Sequence, residues 1–131
     1  MATDTVPAVP AAAHNVSGIS KLRKDYTVAD KGTTITVGTV PAGSVILKTA
    51  SGVNVSTAFD GGSTVVDIGA SDDSGTNNFG SAIVTDTADY LPLDVTGSYY
   101  CASETKIVAA ITAASATVGV AQIVILFVEN V

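Results

Sequence analysis

Between Lys106 and Glu129 the chain runs for 22 residues without a charge, as KIVAAITAASATVGVAQIVILFVE. A run this long either crosses a bilayer or lies inside a folded protein, because a spanning helix needs about 20 predominantly apolar residues. Composition separates the two. The middle, Thr112 to Gln122, holds two Thr, one Ser, one Gly, one Gln and four Ala, leaving only Val118 and Val120 strongly apolar. Neither Trp nor Tyr nor a basic cluster flanks the run, so interfacial anchors are missing. Splitting it at AASATVG gives two strands instead. In TKIVAAIT, Ile107, Ala109 and Ile111 alternate with Lys106, Val108 and Ala110, whereas VAQIVILFVE is apolar on both faces from Ile123 to Val128. A strand of the second kind is covered on both sides, by its own sandwich and by a neighbouring subunit. The expectation is a hairpin in a β core, with no membrane partner.

The rest of the chain repeats this theme. Val, Ala and Ile dominate a 47% hydrophobic share, Thr and Ser are frequent, and Trp is absent. Branched β-carbons lose rotamer freedom in helices and pack well on pleated sheets. Alternating runs recur about every ten residues, divided by turn residues. TTITVGTV places Ile35 and Val37 opposite Thr34 and Thr36, and GVNVSTAF turns Val53 and Val55 inward. STVVDIG sets Thr64, Val66 and Ile68 against Val65 and Asp67, with PAG (41–43) and DGG (60–62) as turns. The runs 81–86, 90–95 and 98–102 complete the set. An all-β chain follows: one β-sandwich, jelly-roll-like, of about eight strands. At 131 residues it buries about two thirds of its unfolded-chain surface. Residues 1–24 read as an extended N-terminal arm and 25–131 as the sandwich domain. Pro7 and Pro10 lack the amide donor a ladder needs, and no periodicity appears before residue 20.

Charge narrows the function. The net charge is −6, and from Thr49 to Thr105 there are eight acids and no base. Nucleic-acid phosphates repel such a surface, so nucleic acid is not an expected partner. Three of the six basic residues, Lys21, Arg23 and Lys24, lie in SKLRKDY beside Tyr26. They are either a solvated stretch or a contact for an acidic partner. A single Cys101 excludes an internal disulfide and suits a reducing compartment of assembly. The N-terminus has no basic start and no continuous apolar core, unlike a secretory signal.

Chemistry-bearing residues are sparse. The sole histidine, His14, lies in the arm, and Cys101 has no histidine near it in sequence, so neither a nucleophile with its base nor a zinc site is expected. Cys101 reads as a small buried hydrophobe. DIGASDDSGTNNFG gathers Asp67, Asp72, Asp73, Asn77 and Asn78, hard oxygens of the kind calcium prefers. Its spacing matches no EF-hand, and the same residue types favour tight turns for backbone reasons. A solvated loop is therefore expected, with Asp67, Asp72 and Asp73 as weak calcium candidates. Asp60 before Gly61 and Gly62 reads as a turn residue. No cofactor and no enzyme activity are expected.

One stretch carries a resemblance. VPAGSVILKTASGVNVSTAFDGGSTVVDIGASDD (40–73) resembles a pattern in small β-rich structural proteins of tailed bacteriophages: a PAG turn before a strand, then TAF with two glycines, a short strand and an Asp-rich loop. The closing VGVAQIVILFVE (118–129) is similar to the Val-rich last strand of that group. The resemblance implies a virion component, a capsid decoration (cement) protein or a head-fibre base, assembling as a homotrimer on the head exterior. Its implied partner is the major capsid protein, met by the arm and by Lys21, Arg23, Lys24 and Tyr26. The alternative is a receptor- or glycan-binding module of a head or tail fibre. Sugar sites use exposed aromatic platforms, and of Tyr99 and Tyr100 only one can face outward.

Overall fold

A computed structural model describes residues 18–71, 78–95 and 97–129. Two antiparallel sheets pack face to face. The larger is centred on β10 (Val120–Val128), and β1 (Ile19–Thr27) pairs with one side of it along nine residues, Ile19 opposite Val128 and Thr27 opposite Val120. The other side of β10 is shared by β3 (Val45–Leu47) and β4 (Gly52–Thr57), which act as one strand broken by a 3₁₀ turn at Lys48–Ala50. β8 (Ser98–Tyr100) borders β3, and β7 (Tyr90–Pro92) borders β4. The smaller sheet runs β2 (Thr34–Val40), β9 (Thr105–Thr112), β5 (Val65–Ala70), β6 (Gly80–Val84).

The break between β3 and β4 interrupts the ladder, and the sequence repairs it. Ser51 is fully buried; its Oγ accepts from Leu126 N at 2.9 Å and donates to Leu47 O at 2.8 Å. Leu126 lies between the β4 and β3 registers, so without Ser51 its part-buried amide would have no ladder partner on that side.

The charge-free run folds as strand, loop and strand, but not as a hairpin. β9 lies between β2 and β5 in the smaller sheet, whereas β10 is the centre of the larger one. Each strand is apolar enough to be the middle of its own sheet, and the 113–119 loop carries the chain from one layer to the other. The inward residues of the run, Ile107, Ala109, Ile111, Ala121, Ile123, Ile125 and Phe127, are all buried in one core. No helix among the described residues is long and apolar enough to cross a membrane.

Two loops lock the end of the sandwich. The Asp60 carboxylate accepts from Thr117 N and Oγ1, both at 2.6 Å, and from Val118 N at 3.0 Å. These bonds hold the Asp60 carboxyl down to about 2, the Thr117 hydroxyl contributing most. A Cβ on Gly119 would overlap the Phe59 ring, so only glycine admits the loop this close to the core.

The expected arm, residues 1–24, is divided by the structure. Residues 19–24 belong to β1, because β10 offers a full edge of amides and carbonyls for them to pair. Residues 1–17, with His14, lie outside the described residues. β1 is a strand that the alternating runs do not reveal, and the described residues form ten strands where about eight were expected.

Candidate functional site

The chemical candidates resolve into structural roles where they are described. Cys101 is fully buried. Asp67 accepts from Ala82 N at 2.7 Å, while Asp94 accepts from Ser81 N at 2.7 Å. Together they hold the β6 backbone where Ala82 takes a positive φ of 53°. Asp72 and Asp73 lie outside the described residues, and among those described no three His, Cys, Asp or Glu side chains could hold a metal ion.

Of the four proposed contact residues, Lys21, Arg23 and Lys24 are exposed on β1. Tyr26 is a correction. It is 2% exposed, its ring lies 5.5 Å from that of Phe59, and burial pushes its hydroxyl pKa up. The β1 register turns it inward with Leu22, so it builds core rather than contact. The three cations have no salt bridge to a described residue. β1 pairs only with β10, leaving its far edge unpaired among the described strands. Lysines along an edge strand discourage edge-to-edge aggregation, and they also suit an acidic partner.

The register assembles a second feature that no sequence window contains. Ile19 faces Val128, Val128 faces Val45, and Val45 faces Tyr100, forming one apolar row across four strands. Their neighbours Ile46 and Phe127 point into the core, so this row lies on the outside of the larger sheet. Ile19 is 64% exposed and Tyr100 63%. Val124 and Leu126 continue the face half-buried along β10, and Tyr90 stands further along it on β7. The Tyr90 hydroxyl donates to Ala50 O at 3.0 Å, which fixes the ring against the sheet. Tyr99 takes the opposite side of β8 and meets Phe79 edge-on, as strand alternation requires.

The outside of the smaller sheet differs in kind. Its rows are Thr34, Ala110 and Asp67, then Thr36, Val108 and Gly69, and at one end Thr112, Val65 and Val84, of which Val84 is exposed. A large apolar face beside a basic edge, on one layer only, can bind by burying area and by matching charge. It offers no acid–base pair, and the described surface encloses no pocket.

No protein-family model matches the sequence, and no curated protein matches it significantly. Solved structures do match. A chain in the acid-stable capsid structure of Helicobacter pylori bacteriophage KHP30 superposes with a TM-score of 0.64 at 15% identity, covering 84% of this chain and 86% of that one. A chain in the capsid asymmetric unit of cyanophage Pam1 gives 0.65 at 14% identity, covering 86% of each. What is shared is the fold. Both chains come from phage capsids, and the expected all-β sandwich is therefore present here in a form that phage particles also use.

Proposed function

We propose that this chain is a structural protein of a bacteriophage virion, and more narrowly a decoration (cement) protein on the outside of the head. The observation that carries the reading is the one-sided surface: an exposed sheet face with an apolar row from Ile19 to Tyr100 and with Lys21 and Arg23 on its β1 edge, on a fold also found in two phage capsids. The partner is the major capsid protein, and the unit that binds it is a homotrimer. Weak contacts repeated by symmetry then add to an attachment that no single copy could sustain. Residues 1–17 act with the β1 edge in that attachment.

Co-sedimentation with undecorated capsids of the phage that encodes the chain tests this. Lys21→Glu/Arg23→Glu/Lys24→Glu should abolish capsid binding while the isolated protein stays folded. Wild-type binding should weaken as salt rises, because exposed charge pairs are screened. Undiminished binding by the triple variant would overturn the role of the edge. Recovery of the chain from tail fractions alone, after purified virions are dissociated, would overturn the head assignment.

A second reading has one observation in its favour. Tyr90 and Tyr100 are 43% and 63% exposed on the same sheet face, as an aromatic platform for a sugar would be. Binding of the isolated protein to a glycan array, lost in Tyr100→Ser, would move the chain to a receptor-binding role.

A further inference from the structure

We infer that the free edge of β1 is a strand-addition site, and that the major capsid protein fills it with an extended, acidic segment. The identity of the partner rests on the decoration-protein reading. An added strand extends the larger sheet sideways, so the apolar row from Ile19 to Tyr100 stays open. Among the described strands five border a sheet, and four of those borders are guarded. β7 and β8 are three residues long, and β7 ends in Pro92. β2 is broken by a bulge between Thr36 and Gly38, which twists a border out of line. On β6 the amides of Ser81 and Ala82 are already taken by the Asp94 and Asp67 carboxylates. β1 has none of these devices. Its nine residues pair with β10 in unbroken register, and its other side has no partner among the described strands.

The backbone shows which groups on that side are free. Val28 N donates to Gly119 O at 3.1 Å, and these residues stand directly opposite when the β1–β10 register is carried one step past Thr27 and Val120. Hydrogen-bonded pairs of this kind alternate along an antiparallel ladder, so Ser20, Leu22, Lys24 and Tyr26 bond to β10. Lys21, Arg23 and Asp25, all exposed, therefore aim their amides and carbonyls at the open side. Thr27 agrees with this alternation, since its N–H donates to the Asp30 carboxylate at 3.0 Å instead of to β10. Three amides and three carbonyls stand in one line, in sets about 6.8 Å apart, as an incoming strand requires.

Charge selects the guest. A second copy fits badly, because residues aimed outward on one β1 must meet residues aimed outward on the other. Every two-fold antiparallel register that overlaps five or more residues of β1 then sets like charges face to face. The opposed pairs are Lys21 with Lys21 or Arg23, Arg23 with itself, Lys24 with itself, or Asp25 with itself. Like charges directly opposite destabilise a sheet. Residues 1–17 of the chain carry one acid, Asp4, and do not match three cations either.

An antiparallel guest that does match carries acids opposite Lys24, Arg23 and Lys21, with an apolar residue opposite half-buried Leu22. From its N-terminal end the order is acid, acid, apolar, acid. Lys21 and Arg23 project from the outer side of the sheet and Lys24 from the inner side, so both faces of the guest meet a cation. Backbone bonds supply attachment in such a complex, and the alternate side chains supply selection. The same cations that keep copies of the chain apart thus choose an unlike partner.

Two variants that lose the same charge separate a backbone strand from a side-chain contact. Arg23→Ala keeps the outward amide, whereas Arg23→Pro removes it at a border position where proline leaves the β10 ladder intact. With both proteins folded by circular dichroism, Arg23→Pro should bind capsids of the encoding phage about tenfold more weakly than Arg23→Ala. Equal binding by the two would overturn strand addition and leave the decoration reading in place. Failure of the wild type to bind at all would overturn both. Hydrogen exchange on the full wild-type chain decides independently of how the variants fold. Exchange on capsids, followed by quenching and fragmentation mass spectrometry, should show Lys21, Arg23 and Asp25 amides protected about tenfold over the free protein. Unchanged exchange at all three would overturn the inference. Protection already present in the free protein would do so too, because a second copy or the chain itself would then fill the edge.

Discussion

The two strands cut from the charge-free run meet opposite fates on their outer sides. β9 turns Lys106, Val108, Ala110 and Thr112 outward, beside Thr34, Thr36 and Asp67 of its neighbours. β10 turns Val120, Gln122, Val124, Leu126 and Val128 outward, beside Ile19 and Val45. Inwardly the strands are equivalent, since Ile107 and Ile111 on one and Ile123 and Ile125 on the other share a single core. Stability therefore needs the inner faces of both, and the surplus of apolar side chains outside β10 serves something else. The outer side of β9 and its neighbours mixes Thr, Ala and Gly with Lys106, Asp67 and Val108, whereas that of β10 sets Ile19, Val45, Leu126 and Tyr100 beside Lys21, Arg23 and Gln122.

Substitutions along β10 divide that contrast. Ile123→Ala on the inner side should cost about 2–5 kcal/mol of folding free energy by denaturant titration, since it deletes fully buried methylenes in the middle of the sheet. A cost below that of the exposed-face variants would mean the inner face is not the core. Ser51→Ala should cost about 1–3 kcal/mol, because it leaves Leu126 N without its acceptor in a part-buried position. Hydrogen exchange at Leu126 should accelerate in that variant while exchange at Ile107 keeps its order relative to the rest of β9.

The loops that join the layers give a pH-dependent test. Asp60 is held at about 2 in the folded state, below the ordinary Asp value of about 3.9. A depressed carboxyl stabilises the fold above its unfolded pKa, and that contribution is lost as pH falls through the folded value. Between about pH 4 and 2 the wild type should lose Tm more steeply than Asp60→Asn, which lacks the titrating group. Parallel acid limbs for the two proteins would remove Asp60 from the account. Smallest of all, Tyr100→Ser should change the stability of the isolated protein by no more than about 0.5 kcal/mol, as exposed positions usually do. Its effect should fall on binding instead.

Strands with alternating faces were legible because period-two patterning is local: Val53 and Val55 inward, and Thr64, Val66 and Ile68 against Val65 and Asp67, stand as the alternation predicts. β1 was not. ISKLRKDYT has no apolar alternation, and what makes it a strand is a partner more than ninety residues later in the chain. The same distance hid the inward turn of Tyr26, which the β1 register decides. The layer change between β9 and β10 was equally hidden, since an apolar run does not say which sheet each half centres. Asp60 reads as a turn residue from its glycines, but its partners Thr117 and Val118 are reached only through the fold. The candidate face lies beyond sequence reading for the same reason. Positions 19, 45, 100 and 128 become one row only by register, and only the basic cluster at 21–24 announces that edge in advance.

The sharpest trial of the account compares one charge placed on each outer face. Tyr100→Glu on the larger sheet and Thr36→Glu on the smaller are both exposed substitutions that leave the core untouched. Co-sedimentation with capsids should be lost for Tyr100→Glu and retained for Thr36→Glu, with both proteins folded by circular dichroism. Retention by Tyr100→Glu together with loss by Thr36→Glu would place the working surface on the wrong side of the sandwich.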